Sequence, residues 1–331
     1  MSGRPAILVT GGAGYIGSHC CRALDAAGYL PVTYDNLSTG HRSFVTGALV
    51  VGDIADKATL ARVFTEHDIK AVMHFAASSL VGESVADPQK YYVNNLAGTL
   101  SLLASMREAG CHRLVFSSTG AVYGHADSKA LREDYACAPI NPYGASKWMI
   151  ERVLTDYRAA YDFNSFALRY FNASGADPGG GIGEDRAVET HLIPRAMMAL
   201  QGHVADFAVY GDDYQTPDGT AIRDYIHVTD LAAAHVLALK LLLEGHSGGA
   251  FNLGTGKGFS VREILAAIAA ETGREVPHVV KPRRAGDPTY LVADASAAHA
   301  TLGFRPADSD LKTVIRTAWA WHKKAHPLKN G

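Results

Sequence analysis

Thr10-Gly11-Gly12-Ala13-Gly14-Tyr15-Ile16-Gly17 stands between an apolar run, Ala6–Thr10, and a helical pattern, Ile16–Ala27. Gly11, Gly14 and Gly17 recur every third position. Glycine lets a chain turn tightly and lets backbone approach a phosphate, whose charge then meets the open N–H groups of a helix start. A lone glycine triplet is a weak signal, and the strand–loop–helix setting gives this one its weight. Outward from it, short apolar runs alternate with longer helical patterns. Strand patterns fall at Pro31–Tyr34, Ala48–Val51, Ala71–Phe75, Arg113–Ser117, Ser165–Arg169 and Ala250–Leu253. Helical patterns fall at Leu60–Glu66, Asn95–Ala109, Pro142–Ala160 and Thr229–Leu243.

Most of the strand runs are apolar without alternation, as expected where helices cover both faces of a sheet. The fold class is therefore α/β: a doubly wound, parallel (Rossmann-type) sheet with right-handed crossovers. The rhythm breaks after about Asn172, where Asp177-Pro178-Gly179-Gly180-Gly181 and other turn-rich stretches follow. A second irregular stretch begins at Thr255 and holds one clear helix, Ser260–Thr272, with a capping box in Ser260 and Glu263. This predicts residues 1–173 plus about 225–254 as a nucleotide-binding domain. Residues 174–224 plus 255–331 then form a smaller, discontinuous substrate domain. Ligand should lie between the two, at the carboxyl ends of the strands.

The chain has 331 residues, 47% hydrophobic and 19% charged, with a net charge of −2. That balance offers no electrostatic attraction for nucleic acid or an anionic membrane. The four cysteines, Cys20, Cys21, Cys111 and Cys137, lack metal-ligand spacing and read as reduced thiols, mostly buried. With no metal site, signal peptide or transmembrane run of roughly 18 apolar residues evident, the expectation is a cytoplasmic protein.

Asp35 ends the second strand pattern. A carboxylate there accepts hydrogen bonds from adenosine ribose hydroxyls and repels a 2′-phosphate, which favours NAD over NADP. Asn36 adjoins it. Asp53-Ile54 follows the third strand, where it reads equally as an adenine contact or a simple turn. The chemistry is suggested by Tyr143 and Lys147, which share one face of the Pro142–Ala160 helix. A phenol ionises near pH 10, and an ammonium group beside it favours phenolate. Thr119 ends the Arg113–Thr119 segment at the same edge of the sheet. A proton taken from a substrate hydroxyl, coupled to hydride transfer from its carbon, is the implied step.

Taken with the glycine fingerprint, these residues resemble the extended short-chain dehydrogenase/reductase family. Longer strings narrow the resemblance to its UDP-hexose 4-epimerases: Thr10–His19, Asp35–Leu37, His74–Ala77, Val81–Ser84, Tyr91–Asn95, Phe116–Gly124, Asn141–Lys147, Arg169–Asn172, Gly211–Tyr214, Asp218–Val228 and Arg283–Asp287. The resemblance covers nearly the whole chain. It implies tightly held NAD and a 4-keto sugar that turns over while UDP stays anchored. Tyr143, Lys147 and Thr119 are then catalytic. Gly11, Gly14, Tyr15, Ile16, Gly17, Asp35, Asn36, Asp53, Ile54, Phe75, Ala76, Ala77, Asn95, Ser117, Tyr143, Lys147 and Tyr170 hold the cofactor. A UDP-hexose partner falls to Thr119, Tyr143, Phe171, Asn172, His191, Leu192, Ala208, Tyr210, Arg223, Arg284, Asp287 and Leu291. Helices 95–109 and 142–160 imply a homodimer, with a monomer as the alternative.

Three positions depart from the family pattern. Thr119 stands for a serine and keeps its hydroxyl. Ser79 stands where a member of the family carries a lysine near the cofactor phosphates, so one cation is lost. Leu291 stands where a bulky tyrosine limits the sugar pocket, which suggests some tolerance of N-acetylated UDP-hexoses. The rival readings are another nucleotide-sugar enzyme of the same family (a dehydratase, a uronate epimerase or a dehydrogenase) and a non-catalytic NAD-binding module. Gly120-Ala121 after Thr119 argues against a dehydratase, which wants an acidic pair there.

Overall fold

The computed structural model describes residues 3–125, 130–284 and 287–328. Ala285 and Gly286 of the Arg283–Asp287 string lie outside the described residues. Six parallel strands follow one another in the first half of the chain: β1 (Ala6–Thr10), β2 (Leu30–Asp35), β3 (Ala48–Val51), β4 (Ile69–His74), β5 (Arg113–Thr119) and β6 (Asn164–Tyr170). With the later strand Gly248–Leu253 they form one seven-stranded sheet, in the order Gly248–Leu253, β6, β5, β4, β1, β2, β3. Every pairing in it is parallel. This is the doubly wound fold expected of the sequence.

The strands lack alternation because both faces are covered. Ile7 and Val9 of β1 point into one core with Met73, Val115 and Leu168, roofed by helices Tyr15–Ala26 and Val228–Leu243. Leu8, one residue along, enters the opposite core with Val72, Leu114 and Phe116, under helices Lys57–His67, Gly98–Glu108 and Pro142–Tyr161. All nine side chains are fully buried, each contributing roughly 1.5–3 kcal/mol over exposure. Cys20, Cys21 and Cys111 are buried free thiols in these cores, while Cys137 is only half-buried.

A second, smaller unit forms around strand Ile222–His227, which pairs with Asn172–Ser174, Gly258–Ser260 and Tyr290–Leu291. Its own core joins Ile193, Met197, Phe207, Ile264, Ile268 and Val314. Ile222–His227 belongs to this sheet rather than to the seven-stranded one, and the helix that packs on the larger sheet begins at Val228. The reason lies in Asp224. Its fully buried carboxylate accepts hydrogen bonds from Thr255, Gly256 and Ala293, and this ties the strand to the second unit. The capping box of Ser260 and Glu263 is present as the sequence predicts.

One helix differs from its sequence pattern. The predicted Asn95–Ala109 helix divides into a π-wound turn, Tyr92–Ala97, and an α-helix, Gly98–Glu108. The extra residue in the turn is consistent with Asn95 facing inward, fully buried.

Candidate active site

In the sheet order, β1 has β2 on one side and β4 on the other, which makes a crevice at their carboxyl ends. Gly11 opens the loop there with φ +73°, and a Cβ at that position would lie 2.6 Å from the Ala76 nitrogen. Gly17 allows the helix to close on the loop, since its Cβ would lie 2.2 Å from the Gly11 carbonyl oxygen. Gly14 is the N-cap of Tyr15–Ala26, with no side chain capping it, so the first-turn N–H groups face the loop. Tyr15 begins the helix and donates its hydroxyl to the Gly175 carbonyl at 2.6 Å, while Ile16 packs on the core.

Asp35 ends β2, nearly buried, and accepts from the Ala13 and Leu37 N–H groups at 3.0 and 2.8 Å. Asn36 donates to the Asp53 carboxylate at 3.1 Å, and buried Ile54 lies under Gly98. Phe75, Ala76 and Ala77 line the way out of β4, with the Phe75 ring 4.9 Å from that of His235. Asn95 spends its amide on Ser78 and on the Ser146 hydroxyl, at distances of 2.8 to 3.2 Å. It therefore couples the loop after β4 to the Tyr143 helix.

That helix begins with Pro142, and the Asn141 side chain accepts from the Gly144 N–H at 2.8 Å. The cap fixes the first turn, where Tyr143 sits half-buried. Thr119, at the end of β5, faces this turn, and its hydroxyl accepts from the Ala121 N–H at 3.1 Å. Burial pushes the phenol above its usual pKa, against the pull of Thr119 and of the Arg186 guanidinium. Lys147, one turn on, is 2% exposed and donates to the Ser117 carbonyl at 2.8 Å. Burial lowers its pKa to about 7, with Glu151 opposing. The Ser117 hydroxyl bonds the Tyr170 hydroxyl at the end of β6.

A second pole lies in the smaller unit. Arg223 pairs with Asp287 at 2.5 Å, and Arg284 lies 4.0 Å over the Tyr210 ring in strand Ala208–Tyr210. Asn172 donates to the Asp224 carbonyl at 3.0 Å. The Phe171 ring lies so close to Gly120 that a Cβ there would meet it at 2.8 Å. Leu291 packs with Phe171 around Tyr123 and Val122. His191 bonds Glu184 at 2.7 Å, and Leu192 joins the core of the smaller unit. Within Asp218–Val228, Asp218 binds Ser260 and Thr220, and Asp224 binds the Thr255 hydroxyl and backbone N–H groups, so of these polar groups Arg223 is the one that reaches Asp287.

Two groupings were not predicted from the sequence. The first is buried behind Lys147. Glu151 accepts a two-armed salt bridge from Arg169 at 2.5 to 3.1 Å and a bond from Ser118 at 2.5 Å. Its spacing of four residues from Lys147 was a usable signal. The second is Glu184, Glu189 and His191, whose ligand atoms lie within 4.8 Å of one another. Arg186 donates into it at 2.9 Å through Glu184. Burial alone would raise Glu184, but His191 and Arg186 hold it below the usual carboxylate range. Glu189 is raised by burial and by Glu184. The cluster carries its own cations. Arg186 also reaches the Ser79 hydroxyl at 3.2 Å, so a guanidinium stands beside the position where serine replaces the family's lysine.

A family model described as the NAD dependent epimerase/dehydratase family matches residues 7–254. The chain belongs to the NAD dependent epimerase/dehydratase family. A relative within reach of it, the UDP-glucose 4-epimerase of Rhizobium meliloti (strain 1021), is 51% identical over 319 residues, spanning 96% of this chain and 97% of its own. Among solved structures, UDP-glucose 4-epimerase from Brucella ovis in complex with NAD shares 54% identity and a TM-score of 0.93, over 95% of this chain and 97% of that one. UDP-glucose 4-epimerase from Bifidobacterium longum in complex with NAD+ and UDP shares 37% and 0.90, over 96% and 98%. The residues present fit the cofactor of the family's name. An uncapped helix start meets a glycine loop with no room for a Cβ, and Asp35 closes the far end. Among the described residues, no helix is long and apolar enough to cross a membrane.

Proposed function

We propose that this chain is a UDP-glucose 4-epimerase, which interconverts UDP-galactose and UDP-glucose by inverting C4 of the hexose. The observation that carries this reading is the meeting of Tyr143, Thr119 and Lys147 at the carboxyl ends of the strands. Bound NAD would supply a hydride acceptor that gives the hydride back. The chain's own groups do the rest. Tyr143 takes the hydroxyl proton in one half-cycle and returns it in the other. Thr119 holds the phenolic oxygen by its hydroxyl, and Lys147 supplies positive charge from a buried position beside the Ser117 carbonyl.

Gly11, Gly14, Tyr15, Ile16 and Gly17 cradle the cofactor diphosphate, with Asp35 and Asn36 at its ribose and Asp53 and Ile54 near adenine. Phe75, Ala76, Ala77, Asn95, Ser117 and Tyr170 shape the remaining groove. Arg223 and Arg284 take the UDP diphosphate as forked donors. Asp287 exchanges its bond to Arg223 for ribose hydroxyls. Phe171, Asn172, His191, Leu192, Ala208, Tyr210 and Leu291 wall the uridine and sugar, and Leu291 leaves room for an N-acetyl group. The NAD-binding unit is the seven-stranded sheet with its helices, and the smaller unit takes the UDP-sugar. The four unpaired thiols suit a reducing cytoplasm. Exposed Val93, Leu100 and Met149 on the Tyr92–Glu108 and Pro142–Tyr161 helices suit a homodimer.

UDP-galactose added to the purified protein without free NAD tests the reading. UDP-glucose should accumulate with no net NADH. Sustained NADH production when NAD is added would instead identify a dehydrogenase, and a 4-keto-6-deoxy product a dehydratase. Turnover of UDP-N-acetylglucosamine at background level would remove the N-acetyl extension alone.

A further inference from the structure

Arg186 belongs to the loop between strand Asn172–Ser174 and helix Leu192–Leu200, in the smaller unit, yet it reaches the loop that leaves β4. Its Nε donates to Glu184 at 2.9 Å and its Nη1 to Ser79 at 3.2 Å. The next residue, Leu80, accepts the Tyr91 hydroxyl at 2.6 Å, and the Tyr91 ring stands edge-on to Tyr143 with centroids 6.4 Å apart. Ser78, on the other side of Ser79, is held by Asn95, which also bonds Ser146 on the Tyr143 helix. Both neighbours of Ser79 are thus tied to the surroundings of Tyr143.

We propose that Arg186 is a positioning residue of the reaction centre: anchored by Glu184 and Ser79, its guanidinium fixes the charge around the Tyr143 phenol from across the cleft. Burial raises the phenol, and Arg186 is a cation that opposes it. The other groups beside the phenol are the Thr119 hydroxyl from β5, the Tyr170 phenol from β6 and the Tyr91 phenol, while Lys147, one turn along the same helix, donates to the Ser117 carbonyl. Behind Arg186 stand Glu184, Glu189, His191 and Tyr15, and the carboxylates limit how much of its charge is felt. The inference uses the epimerase reading only in taking Tyr143 as the base.

A readout that does not depend on the sugar keeps the two claims apart. Tyrosinate absorbance is titrated in the NAD-bound protein, and the same titration of Tyr143→Phe is subtracted to isolate Tyr143. In an Arg186→Gln background the Tyr143 midpoint should rise, leaving on the order of tenfold less phenolate at a given pH. Arg186→Lys should restore most of the difference. Glu184→Gln removes the opposing charge and should lower the midpoint, which keeps the test open if the glutamine variant at Arg186 fails to fold. A Tyr143 midpoint that stays in place in Arg186→Gln, or that lysine does not restore, or that rises or stays put in Glu184→Gln, overturns the proposal. Absence of UDP-galactose turnover in the native protein would overturn the epimerase reading and leave this result standing.

Discussion

Lys147 and Glu151 are buried on one face of the same helix, and their energetics differ in sign. Burial takes Lys147 from its usual 10.5 to about 7. Between those values the unfolded chain holds a proton that the folded chain does not. Stability of the ligand-free protein should therefore rise as pH climbs from about 7 towards 10.5 and be lowest on the acid side. Lys147→Met should flatten this segment, which thermal unfolding across that pH range would show. Glu151 is different because it is paired. Glu151→Gln leaves the Arg169 guanidinium buried without its carboxylate and should cost about 3–5 kcal/mol in denaturant unfolding. The Glu151→Met, Arg169→Met double variant should cost less than Glu151→Gln alone, since no charge is then stranded.

At the scale of elements, the loop between β1 and its helix is a packing joint as much as a binding loop. Gly17→Ala would drive its Cβ into the Gly11 carbonyl and should cost about 1–3 kcal/mol in the ligand-free protein. Gly14→Ala, whose Cβ would meet the Gly11 carbonyl oxygen at 3.3 Å rather than 2.2 Å, should cost less than Gly17→Ala. Melting temperatures of the two variants without NAD decide between them. These elements were legible in the sequence because periodicity and glycine spacing act locally: β1 and β3 fall on the predicted residues, and the helix after Pro142 within one. The Glu184–His191 cluster was not legible. It sits in a turn-rich segment without periodicity, and its tie to the larger unit runs through Arg186, which bonds Glu184 and reaches Ser79, about a hundred residues away in sequence. Asn95 was half legible. Its place near the cofactor groove could be read, but its bonds to Ser78 and Ser146 depend on a π-wound turn that no residue pattern announced.

For the whole molecule, the apolar positions of the two outer helices divide cleanly. Leu102, Leu103, Ile150 and Leu154 are consumed by the core, whereas Val93, Leu100 and Met149 remain on the surface. If a second copy covers them, Leu100→Glu combined with Met149→Glu should halve the mass seen by sedimentation while circular dichroism stays unchanged. An unaltered mass for the variant, or a native protein that already sediments as a monomer, rejects this face as the dimer contact.

The π-wound turn at Tyr92–Ala97 joins two α-helical stretches that would be continuous without it. Deleting one residue there returns the segment to ordinary winding with its backbone bonds made. It also swings every preceding side chain by about 100° relative to the helix that follows. Asn95 would leave Ser78 and Ser146, and the loop bearing Ser79 would lose its tie to the Tyr143 helix. The molecule thus carries one residue that its helix does not require and its chemistry does: a chain shortened by one at this turn should fold and fall silent.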